Sequence, residues 1–199
     1  LVFQPAHWSR GVADESVVAH HGAVAAAAGL PVVLYRAPVS WGPLSYSPEL
    51  VLRLVDIDGV AGIKEGSWDV AAYEEVWRAV KARAPRVSVM ASGDEHLLAC
   101  FQIGTDGSQV SLAALFPDLV CDLFDAARRA DWATARHLHE QVYPLARAIY
   151  RTPPACMATA RLKAGLRLLG RLASDRMRRP GRELTGAELA VLGAALTPA

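Results

Sequence analysis

The chain has 199 residues, of which 52% are hydrophobic and 21% charged, with 15 glycines and 12 prolines. At a prior of about 150 residues per domain this is one domain, with or without an appendage, and its apolar content excludes a disordered chain. The longest weakly polar stretch, Ala23 to Tyr35, is interrupted by Gly29 and Pro31. It falls short of the about 20 residues that a bilayer span requires, so no membrane partner is expected.

Net charge is +1 but unevenly spread, because residues 161–199 hold eight Lys and Arg against three acids. The basic run comprises Arg161, Lys163, Arg167, Arg171, Arg176, Arg178, Arg179 and Arg182. It lacks interleaved aromatics and a nucleic-acid motif, so it reads as a solvated helix face with no nucleic acid as partner. No charged-then-apolar signal segment opens the chain, which begins at Leu1 rather than at Met. Cys100, Cys121 and Cys156 are odd in number and widely spaced, and so read as buried small apolar residues. A cytoplasmic location fits that usage.

In chain order, Leu1-Val2-Phe3 is a short apolar run, counted as the first strand and stopped by Pro5. A helix follows from about Asp14 to Ala28, rich in alanine and closed by Gly29. Residues 31–35 form an apolar strand expected to be covered on both faces. A loop with Pro38, Gly42, Pro43 and Pro48 leads to a short helix, Glu49 to about Val55. Residues 59–64 make the next strand, and Ser67 or Asp69 caps a helix running to about Arg83. Residues 86–90 are a strand, 91–94 turn into a helix through about Ile103, and Gly107 to Ser111 is the last short strand. Four of these five strands are linked by helical connections that suit parallel crossovers.

After Leu112 the strand signals stop. Residues 117–130, 131–151, 155–172 and 184–196 have helical periodicity. Pro144, the Pro153–Pro154 pair and the Pro180–Gly181 pair act as breaks or kinks. The expected division is 1–116, β/α units, and 117–199, helical. A closed (β/α)8 barrel takes about 250 residues, and a β/α unit about 30. The expected fold class is therefore α/β: the C-terminal five units of a (β/α)8 TIM barrel, lacking three units at the front, plus a helical C-terminal extension.

Lys64 closes a strand otherwise made of Val60, Ala61, Gly62 and Ile63. In parallel α/β folds reactive groups gather at that end. Desolvation lowers a lysine's affinity for its proton, and the free amine attacks carbonyls to form a Schiff base. The alternative is a lysine paired with Glu65 or reaching solvent. Tyr35 ends the preceding strand in the matching position, where a phenol can relay protons or simply pack its ring. His137 and His139, two apart on a helix, point to different faces, so no metal is implied. His20 and His21 read as helix packing, and no dinucleotide or phosphate loop is present.

Leu34-Tyr35-Arg36-Ala37-Pro38, then Gly62-Ile63-Lys64-Glu65, then Ser92-Gly93-Asp94 resembles the dihydrodipicolinate synthase / N-acetylneuraminate lyase family. These are pyruvate-linked class I aldolases on a (β/α)8 barrel. Pro5, His20, Gly104 to Gly107 and the Lys163 to Pro180 region extend the resemblance over nearly the whole chain. It implies that Lys64 is the Schiff-base lysine for pyruvate or another 2-oxo acid, and that Tyr35 relays protons at the imine. It places His7 near the second relay tyrosine, which synthases of this family supply across a subunit contact. Ser40 stands where lysine-pathway synthases hold the second substrate's carboxylate with an arginine. Gln109 replaces an apolar residue beside the bound pyruvate.

The Gly-x-x-Thr-Thr/Ser loop that holds the pyruvate carboxylate would lie before residue 1. The resemblance implies a lyase with no cofactor and no metal, small-molecule 2-oxo-acid and aldehyde substrates, and a homo-oligomer. A sugar-acid dehydratase using the same imine, or an inactive fragment or degenerate relative, stays open. Exposed first and last strand edges point the same way, toward an oligomer or a soluble aggregate.

Overall fold

The computed structural model describes residues 1–196. The chain divides into two compact units, Leu1–Gln109 and Val110–Ala199, the boundary falling just after the last strand.

In the first unit, α1 (Asp14–Ala28) begins with Asp14 and Glu15 in its first turn, where acids favour the positive end of the helix dipole. It ends at Gly29, whose φ of 60° is the left-handed conformation that suits a residue without Cβ. Four strands follow: β1 (Val32–Arg36), β2 (Val60–Glu65), β3 (Ser88–Ala91) and β4 (Gly107–Ser108). They form one parallel sheet in the order β1-β2-β3-β4. Parallel neighbours need a crossover, supplied by α2 (Pro48–Val55), α3 (Val70–Arg83) and α4 (Leu97–Ile103). The Ser47 hydroxyl caps α2 by accepting from the Leu50 amide, and Asp69 caps α3 by accepting from the Ala72 amide.

The expected five strands become four. The run Leu1-Val2-Phe3 contributes one parallel bridge, Val2 to Leu34, with the Val2 amide on the Val33 carbonyl at 2.8 Å. Beyond it Pro5 has no N–H, and the Gln4 side chain takes over the ladder. Its Nε2 donates to the Tyr35 carbonyl at 2.6 Å and to the Leu44 carbonyl at 2.9 Å. At the other edge β4 stops at Ser108, and a 3₁₀ turn over Ser111–Ala114 replaces the expected continuation to Ser111.

The sheet has two unlike faces. Val32, Leu34 and Arg36 of β1, Ile63 and Glu65 of β2, and Val89 and Ala91 of β3 are buried. Val33 and Tyr35, Lys64, and Ser88 and Met90 alternate with them and are only half-buried. This corrects the expectation that β1 is covered on both faces, because helices pack on one side only. Gly104, at the end of α4, is the one residue type that fits there. A Cβ would stand 2.3 Å from the Trp77 ring, and its φ of 135° is barred to L side chains. Close packing of Trp77 and the bond from the Tyr73 hydroxyl to the Gly104 carbonyl, 2.6 Å, hold β4 against α3.

The second unit is helical: α5 (Pro117–Arg128), α6 (Trp132–Tyr150), α7 (Ala158–Leu168) and α8 (Gly186–Leu196). Residues 197–199 of the expected helical region lie outside the described residues. Its core includes Leu112, Leu115, Val120, Leu123, Ala126, Val142, Leu145, Ala146 and Ile149. Pro144, expected to break or kink, sits inside α6. The helix runs through it because Val142, Leu145, Ala146 and Ile149 are buried on both sides of the missing hydrogen bond.

Several residues of the basic run are bound within the chain. Arg161 is buried and donates to the Ile149 and Pro154 carbonyls, Arg167 pairs with Asp175, and Arg182 pairs with Glu188. Lys163 donates to the Arg176 carbonyl and Arg171 to the Leu115 carbonyl. The reading of all eight as a solvated face is thereby corrected for Arg161. Cys100 is buried as expected, whereas Cys121 and Cys156 are exposed. Among the described residues no helix is long and apolar enough to cross a membrane.

Candidate active site

Register places the two central residues. Tyr35 of β1 aligns with Lys64 of β2, which aligns with Met90 of β3, which aligns with Gly107 of β4. This row lies one residue short of the C-terminal ends of β1, β2 and β3, on the face turned away from the helices. The Lys64 Nζ lies 5.6 Å from the centroid of the Tyr35 ring. The ring is held from its other neighbours by Phe3, at 4.7 Å between centroids, and by Gly66. A Cβ on Gly66 would stand 2.7 Å from the ring and 2.6 Å from the Arg36 carbonyl, so only glycine lets the phenol lie here.

The next row, Arg36 and Glu65, faces the other way and forms a buried ion pair. Arg36 NH1 and Glu65 Oε1 are 2.7 Å apart, and the two side chains are 6% and 1% exposed. The second oxygen of Glu65 accepts the Ser67 hydroxyl at 2.9 Å, and Arg36 Nε donates to the Tyr46 carbonyl at 2.8 Å. The expected alternative of a Lys64–Glu65 pair is therefore excluded: Glu65 spends both oxygens on the far side of the strand. Two backbone bonds continue the lattice beyond the strands, Gly66 amide to Arg36 carbonyl and Val39 amide to Ser67 carbonyl, each 3.0 Å. The loops after β1 and β2 are thus tied to each other.

Electrostatics follow from this burial. Loss of solvent lowers the Lys64 amine below its ordinary 10.5, and the negative charge of Asp94 pulls it partly back. Burial raises the Tyr35 phenol above its ordinary 10.0, with the Glu65 carboxylate adding to the rise. Burial also pushes the Glu65 carboxyl upward, opposed by Arg36 and Ser67. An amine whose charged form burial disfavours thus sits beside a phenol whose charged form burial disfavours too.

The other expected site residues are separate from this pair. His7 is exposed in the 3₁₀ turn Ala6–Arg10, its ring edge-on to Trp8 at 6.3 Å. Ser40 is exposed in the 3₁₀ turn Val39–Leu44 after β1. Gln109 is exposed just past β4, with its backbone amide on the Ala91 carbonyl at 3.1 Å. None of the three touches Lys64 or Tyr35 by a side-chain hydrogen bond among the described residues. A concavity of about 560 Å³, lined by Gly29, Leu30, Pro31, Gly59 and Arg86 among others, lies at the start of β1 and β2, the end away from Lys64.

Sequence reasoning missed Arg36 and Glu65 as a unit, Gly66 as the ring's seat, and the charge of Asp94 acting on Lys64. Asp94 does fall within the Ser92-Gly93-Asp94 motif that was singled out. His21 packs as expected: it is buried, its ring 5.8 Å from Tyr46, with Nδ1 2.9 Å from the Val17 carbonyl.

A lysine amine and a tyrosine phenol thus stand side by side near the C-terminal ends of adjacent strands of a parallel, barrel-type sheet. Comparison with known proteins gives the family to which such a sheet belongs. The profile of the Dihydrodipicolinate synthetase family matches residues 8–199. The 4-hydroxy-tetrahydrodipicolinate synthase of Thermomicrobium roseum is 34% identical over 154 residues, 77% of this chain and 50% of the relative. A dihydrodipicolinate synthase structure from Bacteroides thetaiotaomicron superposes with a TM-score of 0.83 at 25% identity, covering 96% of this chain and 63% of that one. A prophage protein of the dihydrodipicolinic acid synthase family from E. coli K12, in complex with pyruvate, superposes with a TM-score of 0.88 at 26% identity, covering 98% and 64%.

The chain belongs to the dihydrodipicolinate synthase family, and its fold is α/β, a partial (β/α)8 barrel. It spans about half the length of the curated relatives it matches.

Proposed function

We propose that the protein is a lyase or aldolase that binds pyruvate or another 2-oxo acid as an imine on Lys64. The observation that supports it most directly is the Lys64 amine, desolvated and in register with Tyr35, its Nζ 5.6 Å from the phenol ring centroid. The neutral amine attacks the keto carbon, and the resulting carbinolamine loses its hydroxyl as water. The Tyr35 phenol keeps its proton at neutral pH and is the group that delivers it to the departing hydroxyl. Loss of a methyl proton then gives an enamine, whose carbon makes a bond to an aldehyde; the reverse sequence breaks that bond. Water releases the product and restores the amine, so the cycle uses no cofactor.

In this reading His7 serves a site on a neighbouring copy, which its exposure permits, and Gln109 gives the 2-oxo-acid pocket a polar wall. Ser40 in place of a cation argues for a partner other than that of the lysine-pathway synthases. A homo-oligomer is the assembly this reading expects.

Enamine formation has a direct readout that needs no aldehyde. In heavy water the chain exchanges the methyl protons of pyruvate for deuterium, followed by proton NMR. Only the free amine attacks, and burial lowers its pKa, so the rate rises with pH with its midpoint below the 10.5 of an ordinary lysine. Exchange no faster than in buffer overturns the proposal.

A further inference from the structure

In the first unit, α1, the 3₁₀ turn Ala6–Arg10 and the segment after β1 meet on one histidine. His21 of α1 is fully buried. The Trp8 ring of the turn stands 6.2 Å from it between centroids, and the Tyr46 ring of the segment 5.8 Å. Trp8 and Tyr46 are only 7% and 2% exposed, so all three rings are withdrawn from solvent.

The hydrogen bonding of His21 is one-sided. Its Nδ1 lies 2.9 Å from the Val17 carbonyl, one turn back on α1, which fixes the proton of the neutral ring on Nδ1. Nε2 is then a bare acceptor, and among the described residues it has no hydrogen-bond partner. A second proton arriving there adds a donor and a charge where no side chain accepts the one or offsets the other. Of titratable and charged groups, α1 brings His20, its ring 5.3 Å away, the segment after β1 brings Tyr46, and the turn brings His7 and Arg10. The acids of α1, Asp14 and Glu15, lie in its first turn within ion-pair reach of Arg53 of α2.

What this junction holds continues to the end of β1. The Tyr46 carbonyl accepts from Arg36 Nε at 2.8 Å. Two residues earlier the Leu44 carbonyl accepts from Gln4 Nε2, which also donates to the Tyr35 carbonyl. Tyr35 and Arg36 are the last two residues of β1.

We propose that His21 is an acid-sensitive latch: a proton on its Nε2 parts α1 from the Trp8 turn and from Tyr46, and so loosens the end of β1. The latch stands whether or not Lys64 forms an imine. Its direction follows from burial, which lowers the proton affinity of His21 below the ordinary 6.5, with the charge of His20 acting the same way against the Val17 carbonyl. The unfolded chain therefore takes up the proton first. The stability that His21 contributes is complete above about pH 6.5 and is lost as pH falls toward the lower value of the folded chain.

Urea unfolding of the full chain, followed from about pH 7 to about pH 5, reads that loss. His21→Phe keeps a ring in the junction and takes up no proton. Over this range the folding constant of the parent chain is expected to fall roughly tenfold more than that of the variant. A fall that His21→Phe shares in full, or one that His20→Phe removes instead, overturns the proposal.

Histidine-selective NMR of the parent chain needs no variant to fold. Of its six imidazoles, one is expected to stay neutral, with its proton on Nδ1, until the junction opens. Six that all titrate at or above about 6.5, His21 among them as a cation held by the Trp8 and Tyr46 rings, overturn it. Deuterium uptake, corrected for the intrinsic effect of pH, locates the opening. Residues 1–12 and 37–47 are expected to lose protection on acidification before β2 and β3 do, and a uniform loss across the sheet overturns the latch.

Discussion

Replacing Glu65 by leucine destabilises the chain by about 3–5 kcal/mol, the typical cost of leaving one charge of a buried pair without its partner. The stranded group is Arg36, 5% exposed, whose NH1 loses an acceptor at 2.7 Å. Ser67 loses its acceptor as well. Glu65→Gln costs less, because a neutral amide oxygen still accepts from Arg36. The double replacement Arg36→Met with Glu65→Leu removes both charges and recovers part of the loss, since an apolar pair of similar volume needs no compensation. Denaturant midpoints of the four chains check this, and strictly additive losses contradict it. The pair also joins the ends of β1 and β2 directly beyond Tyr35 and Lys64. Its loss is therefore expected to slow pyruvate methyl exchange in whatever fraction remains folded.

Tyr35→Phe is the second large effect, this time on rate with little change in stability. The ring remains beside Lys64 and between Phe3 and Gly66, so packing is retained, and only the hydroxyl goes. Losing a positioned proton donor typically costs on the order of a hundredfold or more. Methyl exchange is therefore expected to fall by about that factor, while the melting transition shifts little. A Tyr35→Phe chain that exchanges pyruvate protons at the parent rate would remove the phenol from the mechanism and leave it a packing role.

Much of the architecture was legible because period and punctuation agree. The helix Asp14–Ala28 and its Gly29 terminus are found as read, and α3 ends at Arg83 as read. The strand holding Lys64 was read one residue short of Glu65. The edges were not legible. Val2 makes a lone bridge because Pro5 follows and the Gln4 side chain occupies the Tyr35 carbonyl, a long-range contact that no local propensity encodes. Pro144 fails to break α6 because burial on both sides outweighs one lost hydrogen bond.

The site divides in the same way. Lys64 and Tyr35 stand out as polar residues that close apolar strands. Arg36 and Glu65 immediately follow them in sequence, yet their partnership depends on strand order and register. Gly66 looks like an ordinary turn glycine until the Tyr35 ring is seen against it. His7, Ser40 and Gln109 stand out in the sequence only through the resemblance, and all three are exposed.

The central claim is that the Lys64 amine captures a 2-oxo acid, and borohydride trapping tests it most directly. The chain is incubated with pyruvate and borohydride, weighed intact, and digested to locate any adduct, with Lys64→Ala in parallel. The account predicts one pyruvate-sized addition, mapped to the peptide containing Lys64 and absent from the Lys64→Ala chain. A folded chain that takes up no pyruvate, or one labelled equally well without Lys64, contradicts it.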